Sequence, residues 1–243
     1  MQKSDEKLKI EEYQYLLGSM DELTEKMPEV VCDYFDSNKY LFSVYFEAFN
    51  SIRSFCVLLG NGVNITQSCA VLRMAIEETA IIRILEKYPQ LIDSYVEHFK
   101  FRFSIMHEKN QRDKIIEHYE NKIDKRSRAL DYLDYGWIEE VSKDYGFHSL
   151  VKIAGMDDEE YKIYPWIDTL NMWIHGTLHF SNLASGNDLD GPTKYAHALI
   201  DIAATLLDMI CCEFHNDTKF DFIIDGYDYY HSFRGYFEKA SKK

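Results

Sequence analysis

The sequence contains few residues that break helices. Its 243 residues include only 11 Gly and 4 Pro, and this combined share is roughly half of that in an average globular protein. Strict alternation of apolar and polar residues, the pattern of a half-buried strand, is nearly absent, whereas apolar residues recur at helical spacing through most of the chain. We therefore predict an all-α fold, built as a single helical-bundle domain with long central helices.

Sequence motifs of several common enzymes are also missing. The chain has no G-x-x-x-x-G-K-[ST], G-x-G-x-x-G, G-x-S-x-G or H-E-x-x-H segment. None of its nine histidines has a Glu three positions before it, so the chain lacks the Glu-x-x-His pairs of a di-iron bundle. His175 and His179 have the i, i+4 spacing of a metal site, but no cysteine or evident third ligand is near them. We expect neither a metal nor a cofactor.

The cysteines do not form a disulfide or zinc pattern. They are odd in number, are never spaced C-x-x-C and mostly have apolar neighbours, so we interpret them as reduced thiols of the core. The five residues are Cys32, Cys56, Cys69, Cys211 and Cys212.

Long apolar segments and positive charge are scarce. Charges recur every few residues at the N-terminus, unlike in a signal peptide, and no apolar run approaches the roughly 20 residues that span a bilayer. We expect a cytoplasmic protein without a membrane partner. The net charge of −14, from 27 Lys and Arg against 41 Asp and Glu, disfavours DNA. The most basic stretch, Lys109 to Arg128, intersperses opposite charges, which is typical of a solvated helix face rather than a phosphate-binding surface.

One domain is predicted over residues 1–243, with an N-terminal helical arm at 1–37, a core bundle at 38–215 and an aromatic C-terminal helix at 216–243. Small and polar residues predict a loop from Ser181 to Pro192. The helices predicted from apolar spacing, caps and breakers are Asp5 to Met27, Asn38 to Leu59, Asn64 or Thr66 to Lys87, 90 to 110, 112 to 143, a helix with Trp166, Leu170, Trp173 and Ile174, and Lys194 to Phe214.

The third predicted helix is apolar on nearly every face, which places it at the centre of the bundle. Two of its charged residues, Arg73 and Glu77, are i, i+4 neighbours and are therefore expected to be at least partly buried together. One interpretation is an internal ion pair that orients the bundle. The other is a polar pocket completed by Asn171 and His175, in which the imidazole acts as a general acid or base near neutral pH.

The segment from Asn171 to Gly176, Asn-Met-Trp-Ile-His-Gly, resembles the R-N-x-x-x-H signature of the HEPN superfamily of all-helical proteins, which are common among bacterial toxins and phage-defence proteins. The order of a central R-x-x-x-E helix and a later aromatic helix ending in His-Gly is also similar to a family of uncharacterised bacterial helical proteins of about this length, over residues 40 to 215.

The HEPN resemblance implies a metal-independent ribonuclease in which the motif His assists attack by the ribose 2′-hydroxyl and the motif Arg stabilises the phosphate. Asn171 and His175 match the motif, whereas Leu170 stands in place of its arginine. Loss of such an electrostatic stabiliser typically lowers the rate by about 10²- to 10³-fold. Arg73 would have to replace it, which requires the third predicted helix to pack beside the helix of His175.

We therefore expect a non-catalytic binding or interaction protein, linked to defence or stress, that forms a homodimer and binds a protein or RNA. Its pocket of Arg73, Glu77, Asn171 and His175 is then structural or ligand-binding. The alternative is a HEPN-type metal-independent ribonuclease in which His175 is the general acid or base and Arg73 stabilises the phosphate.

Overall fold

The fold is all-α. The computed structural model shows 79% of the described residues in helices and no strand among them, which confirms the predicted fold class. The described residues are 43–58, 65–106, 109–110, 113–114, 117, 133–158, 163–174, 199–200, 202–207 and 209–210.

The longer helical segments of the described part of the chain are numbered in chain order. They are α1 (residues 43–58), α2 (Ile65–Lys87), α3 (Leu91–Ile105), α4 (Phe147–Ile153), α5 (Trp166–Ile174) and α6 (residues 199–200, 202–207 and 209–210).

The central helix is α2, as predicted. It ends at Lys87, two residues before Pro89, and it packs against both α4 and α5. Burial on several of its faces explains the position, because a helix with apolar residues all round must be covered on all sides. The fully buried side chains of α2 include Leu72, Ala75, Ile76, Ala80, Ile82 and Ile84.

The helix α1 lies antiparallel to α2. Tyr45 donates a hydrogen bond to Glu86 over 2.9 Å, and Ser51, six residues later, bonds to Glu78. Among the described residues of α1, Tyr45, Phe49, Ile52 and Cys56 are buried, whereas Phe46 is 41% exposed. From Tyr45 to Ser51, the partners on α2 change from Glu86 back to Glu78, so the two helices run in opposite directions.

The prediction of one helix from 112 to 143 is wrong at its C-terminal end. Residues 133–135 are helical, but the chain then tightens into a 3₁₀ turn at Gly136–Ile138 and leaves helical structure. Trp137 is 4% exposed and meets Tyr95 of α3 edge-on, with ring centroids 5.1 Å apart. Because this turn is buried against α3, the helix does not continue to residue 143.

Two further boundaries differ from the prediction. The helix predicted for residues 90 to 110 ends at Ile105 and leaves Phe99 and Phe103 exposed at 60% and 65%. The short helix α4 was not predicted. It ends where Gly155 adopts a φ of +68°, in the left-handed region that favours glycine. Arg83 of α2 donates from Nε to the Ala154 carbonyl oxygen over 2.9 Å, which satisfies the end of α4.

Several predictions concern residues outside the described ranges: the arm at 1–37, the loop from Ser181 to Pro192 and the C-terminal helix at 216–243. Of the cysteines, Cys56 and Cys69 are free and buried, as predicted, and burial raises the pKa of both thiols to about 12. In the portion of the chain that the structure covers, no helix is long and apolar enough to cross a bilayer.

Candidate functional site

An ion pair on α2 is the centre of the candidate site. Arg73 Nη1 lies 2.8 Å from Glu77 Oε2, and each side chain is 25% exposed. Four residues advance an α-helix by about one turn, which brings the two side chains to one face. The predicted pair therefore forms, and it lies at the border between core and solvent.

Asn171 joins this pair from α5. Its Oδ1 accepts a hydrogen bond of 2.9 Å from Arg73 Nε. The helices pack closely here because Leu72 and Leu170, each next in sequence to a member of this bond, are fully buried. The structure therefore brings together three of the four residues that the sequence singles out, across 98 positions of the chain.

Two aromatic residues complete the surroundings of Arg73. The Phe147 ring, at the start of α4, lies with its centroid 4.1 Å from Arg73 Cζ, in the geometry of a cation–π contact. Tyr135, which is 6% exposed, bonds through its hydroxyl with both Glu77 and Arg73. Neither of these two aromatic residues was singled out from the sequence. No local signal identifies them, because they approach Arg73 from other parts of the chain.

The arrangement holds the charge of Arg73 in place. We name the five residues Arg73, Glu77, Tyr135, Phe147 and Asn171 the Arg73 cluster. Burial, together with the neighbouring Glu77 carboxylate, raises the pKa of Tyr135, so the phenol stays protonated and is a donor rather than a base at neutral pH. The cluster thus contains a cation that already has an anionic partner, an amide acceptor and an aromatic face.

Of the motif positions on either side of Asn171, one lies in the core and the other lies outside the described residues. Leu170 is 0% exposed. A side chain at this position therefore enters the core instead of the surface that Asn171 shares with Arg73. His175 directly follows the last residue of α5 and lies outside the described residues, as does His179.

Two other histidines have structural contacts. His98 of α3 is 5% exposed, and its Nε2 donates to the carbonyl oxygen of Leu133 over 2.6 Å, which ties α3 to the segment before the 3₁₀ turn. His148 of α4 lies 3.2 Å from the Asp168 carboxylate of α5. Within the described ranges, no group of three or more His, Cys, Asp or Glu side chains is placed to hold a metal ion.

Comparison with protein-family models, with curated proteins and with solved structures gives no significant match to this chain.

Proposed function

We propose that the protein is a non-catalytic binding or interaction protein in which the Arg73 cluster organises the helices around α2. The observation that carries this proposal is the engagement of Arg73. Its guanidinium pairs with Glu77 over 2.8 Å, bonds to Asn171 over 2.9 Å and covers the Phe147 ring.

A catalytic role in phosphate chemistry requires the opposite state of Arg73. The cation that stabilises a developing phosphate charge must direct its donors at the substrate. Here two of the three guanidinium nitrogens have protein partners, and Glu77 places a negative charge where a phosphate oxygen would approach. Displacing hydrogen bonds to charged groups typically costs about 1.5 to 3 kcal/mol each. The geometry therefore supports a structural or ligand-contacting cluster.

The charge of the chain limits the kind of partner. A net charge of −14 repels a polyanion over the whole surface, and Glu77 neutralises the one arginine in the cluster. A protein with a neutral or basic surface fits this better than RNA does. The homodimer, the cytoplasmic location and the link to defence or stress stay predictions.

One observation favours the ribonuclease as the second candidate. The hydrogen bond from Arg73 to Asn171 shows that α2 lies beside α5, the helix that ends immediately before His175. This packing is what a substitution of Arg73 for the missing motif arginine requires. The ribonuclease would still need Glu77 to release Arg73 when RNA binds.

Cleavage of single-stranded RNA in the presence of a chelator distinguishes the two candidates, since general acid–base chemistry needs no metal. We expect no cleavage by the wild-type chain and no RNA binding at low ionic strength. His175→Ala and His148→Ala form a matched pair, because His148 is a histidine that contacts Asp168 instead of the Arg73 cluster. Chelator-resistant cleavage that disappears in His175→Ala and persists in His148→Ala would overturn the non-catalytic proposal.

A further inference from the structure

Glu78 is the most unusually placed carboxyl group among the described residues. Its Oε2 is buried and has no hydrogen-bond partner. Buried polar atoms almost always have one, because an unmatched group loses its bonds to water without replacement. Glu78 belongs to α2 and lies where α1 packs on that helix, so the unmatched oxygen is part of the α1–α2 contact.

The groups around Glu78 favour its neutral form. From α1, Ser51 bonds to its carboxyl group and Glu47 adds a negative charge; from α2 itself, Glu77 adds another. From α3, Tyr95 lies close enough for Glu78 to raise its pKa, and Tyr95 is neutral at physiological pH. Of the charges that act on Glu78 from described residues, none is positive. Burial, with these like charges, raises the pKa of Glu78 to about 7.

We propose that Glu78 is a proton-dependent latch between α1 and α2. When its carboxyl group is protonated, α1 is held on α2; when it is ionised, an unpaired negative charge lies in the contact beside Glu47 and Glu77, and α1 separates more readily. Separation exposes the carboxylate to water, which removes the burial that opposes its charge. The latch goes beyond the binding function and does not depend on it.

The direction of the pH effect follows from linkage. A carboxyl group that titrates higher in the closed state than in the open state binds protons more tightly when closed. Closure is therefore favoured fully below pH 4.5, the ordinary pKa of a free glutamate, and this advantage is lost as the pH rises through about 7. Between pH 5.5 and pH 8 the opening equilibrium should increase about 25-fold.

Hydrogen exchange of the α1 amides tests the latch, with wild type and Glu78→Gln compared at the same pH so that intrinsic exchange rates cancel. Gln stays neutral at every pH and still accepts a bond from Ser51. We expect the ratio of wild-type to variant α1 exchange rates to be about 25-fold larger at pH 8 than at pH 5.5. Exchange in α3 should not change, because the latch acts on α1.

Glu86→Gln is the matched control. It makes the same chemical change at the same helix contact, but Glu86 already accepts a hydrogen bond from Tyr45 over 2.9 Å. We expect its effect on α1 exchange to be the same at both pH values. A difference between pH 5.5 and pH 8 as large as that of Glu78→Gln would overturn the latch, because any carboxyl group at the contact would then suffice.

Glu47→Gln keeps the proposal testable if Glu78→Gln does not fold. Glu47 is exposed, so its substitution should leave the fold intact while removing one of the two negative charges beside Glu78. We expect slower α1 exchange than in wild type at pH 8 and no difference at pH 5.5. Unchanged exchange at pH 8 would overturn the latch.

Discussion

Glu77 and Glu78 are consecutive residues of one helix with opposite surroundings. Consecutive positions are about 100° apart around an α-helix, so the two carboxylates face different neighbours. Glu77 meets Arg73 at 2.8 Å, whereas Glu78 meets Ser51 and two like charges and keeps one buried oxygen without a partner. The comparison shows that the packing partners of a helix, rather than the residue type, decide whether a partly buried carboxylate stabilises the fold or strains it.

Leu170 and Asn171 of α5 are also consecutive residues with different surroundings, since Leu170 is buried in the core and Asn171 contacts Arg73. A charged residue in place of Leu170 should have the largest effect on stability. Leu170→Arg introduces an arginine, the residue that the HEPN signature has before its Asn, at a position that is 0% exposed. An unpaired buried charge costs about 3 to 5 kcal/mol, so we expect a loss of that size, or no folded protein, in urea unfolding. Leu170→Met keeps the volume and should cost less than about 1.5 kcal/mol. A stable, folded Leu170→Arg protein would contradict the placement of Leu170 in the core.

Removing Arg73 leaves Glu77, like Glu78, without a positively charged partner. Arg73→Met loses the bonds to Glu77 and Asn171, and we expect a loss of about 2 to 3 kcal/mol, since bonds to charged groups contribute about 1.5 to 3 and the 25% exposure of Glu77 lets water reach it. The double variant Arg73→Met/Glu77→Gln should be more stable than Arg73→Met, because it no longer contains the unpaired carboxylate of Glu77. A loss below about 0.5 kcal/mol would mean that the pair acts like a surface pair.

Removing the hydroxyl beside Glu78 should produce a smaller, pH-dependent effect. The Ser51 bond favours the ionised carboxylate and lowers the pKa of Glu78, so Ser51→Ala raises that pKa further. The pKa of Glu78 in the folded state is already above the ordinary glutamate value of 4.5; stability is therefore full below pH 4.5 and falls as the pH rises through about 7. We expect Ser51→Ala to lose about 1 kcal/mol at pH 8 and less at pH 5.

Thr79→Val is the control for this measurement. Thr79 is a buried hydroxyl of the same helix, but it donates to the backbone oxygen of Ala75 over 2.7 Å and has no bond to a carboxylate. Its loss should be the same at pH 5 and pH 8. Equal pH dependence of the two variants would show that Glu78 does not respond to Ser51.

The smallest effect is expected for an exposed ion pair. Lys100 Nζ lies 2.7 Å from Glu97 Oε1 on α3, with side chains 60% and 72% exposed. Exposed pairs contribute about 0.2 to 1 kcal/mol, and those within one helix about 0.3 to 0.5. Lys100→Ala should therefore change the free energy of unfolding by no more than about 0.5 kcal/mol, and less at high salt. A loss of stability equal to that of Arg73→Met would contradict the expected difference between this exposed pair and the partly buried pair of Arg73 and Glu77.

Local patterns were enough for the helices that are long and periodic. The end of α2 at Lys87 follows from Pro89, and the burial of α2 follows from its apolar faces. The same reasoning was wrong beyond residue 135, where the apolar and charged spacing continues but Trp137 is drawn into a 3₁₀ turn against α3. Helix α4 was missed because seven residues give too little periodicity to detect.

The sequence by itself determined the helical class, the central position of α2 and the pairing of Arg73 with Glu77, since these depend on spacing along one chain segment. Only the tertiary structure decided that Asn171, Tyr135 and Phe147 surround Arg73, and that Glu78 lies among like charges. Contacts between distant segments depend on how helices pack, and i, i+4 spacing carries no information about the neighbour that a side chain meets.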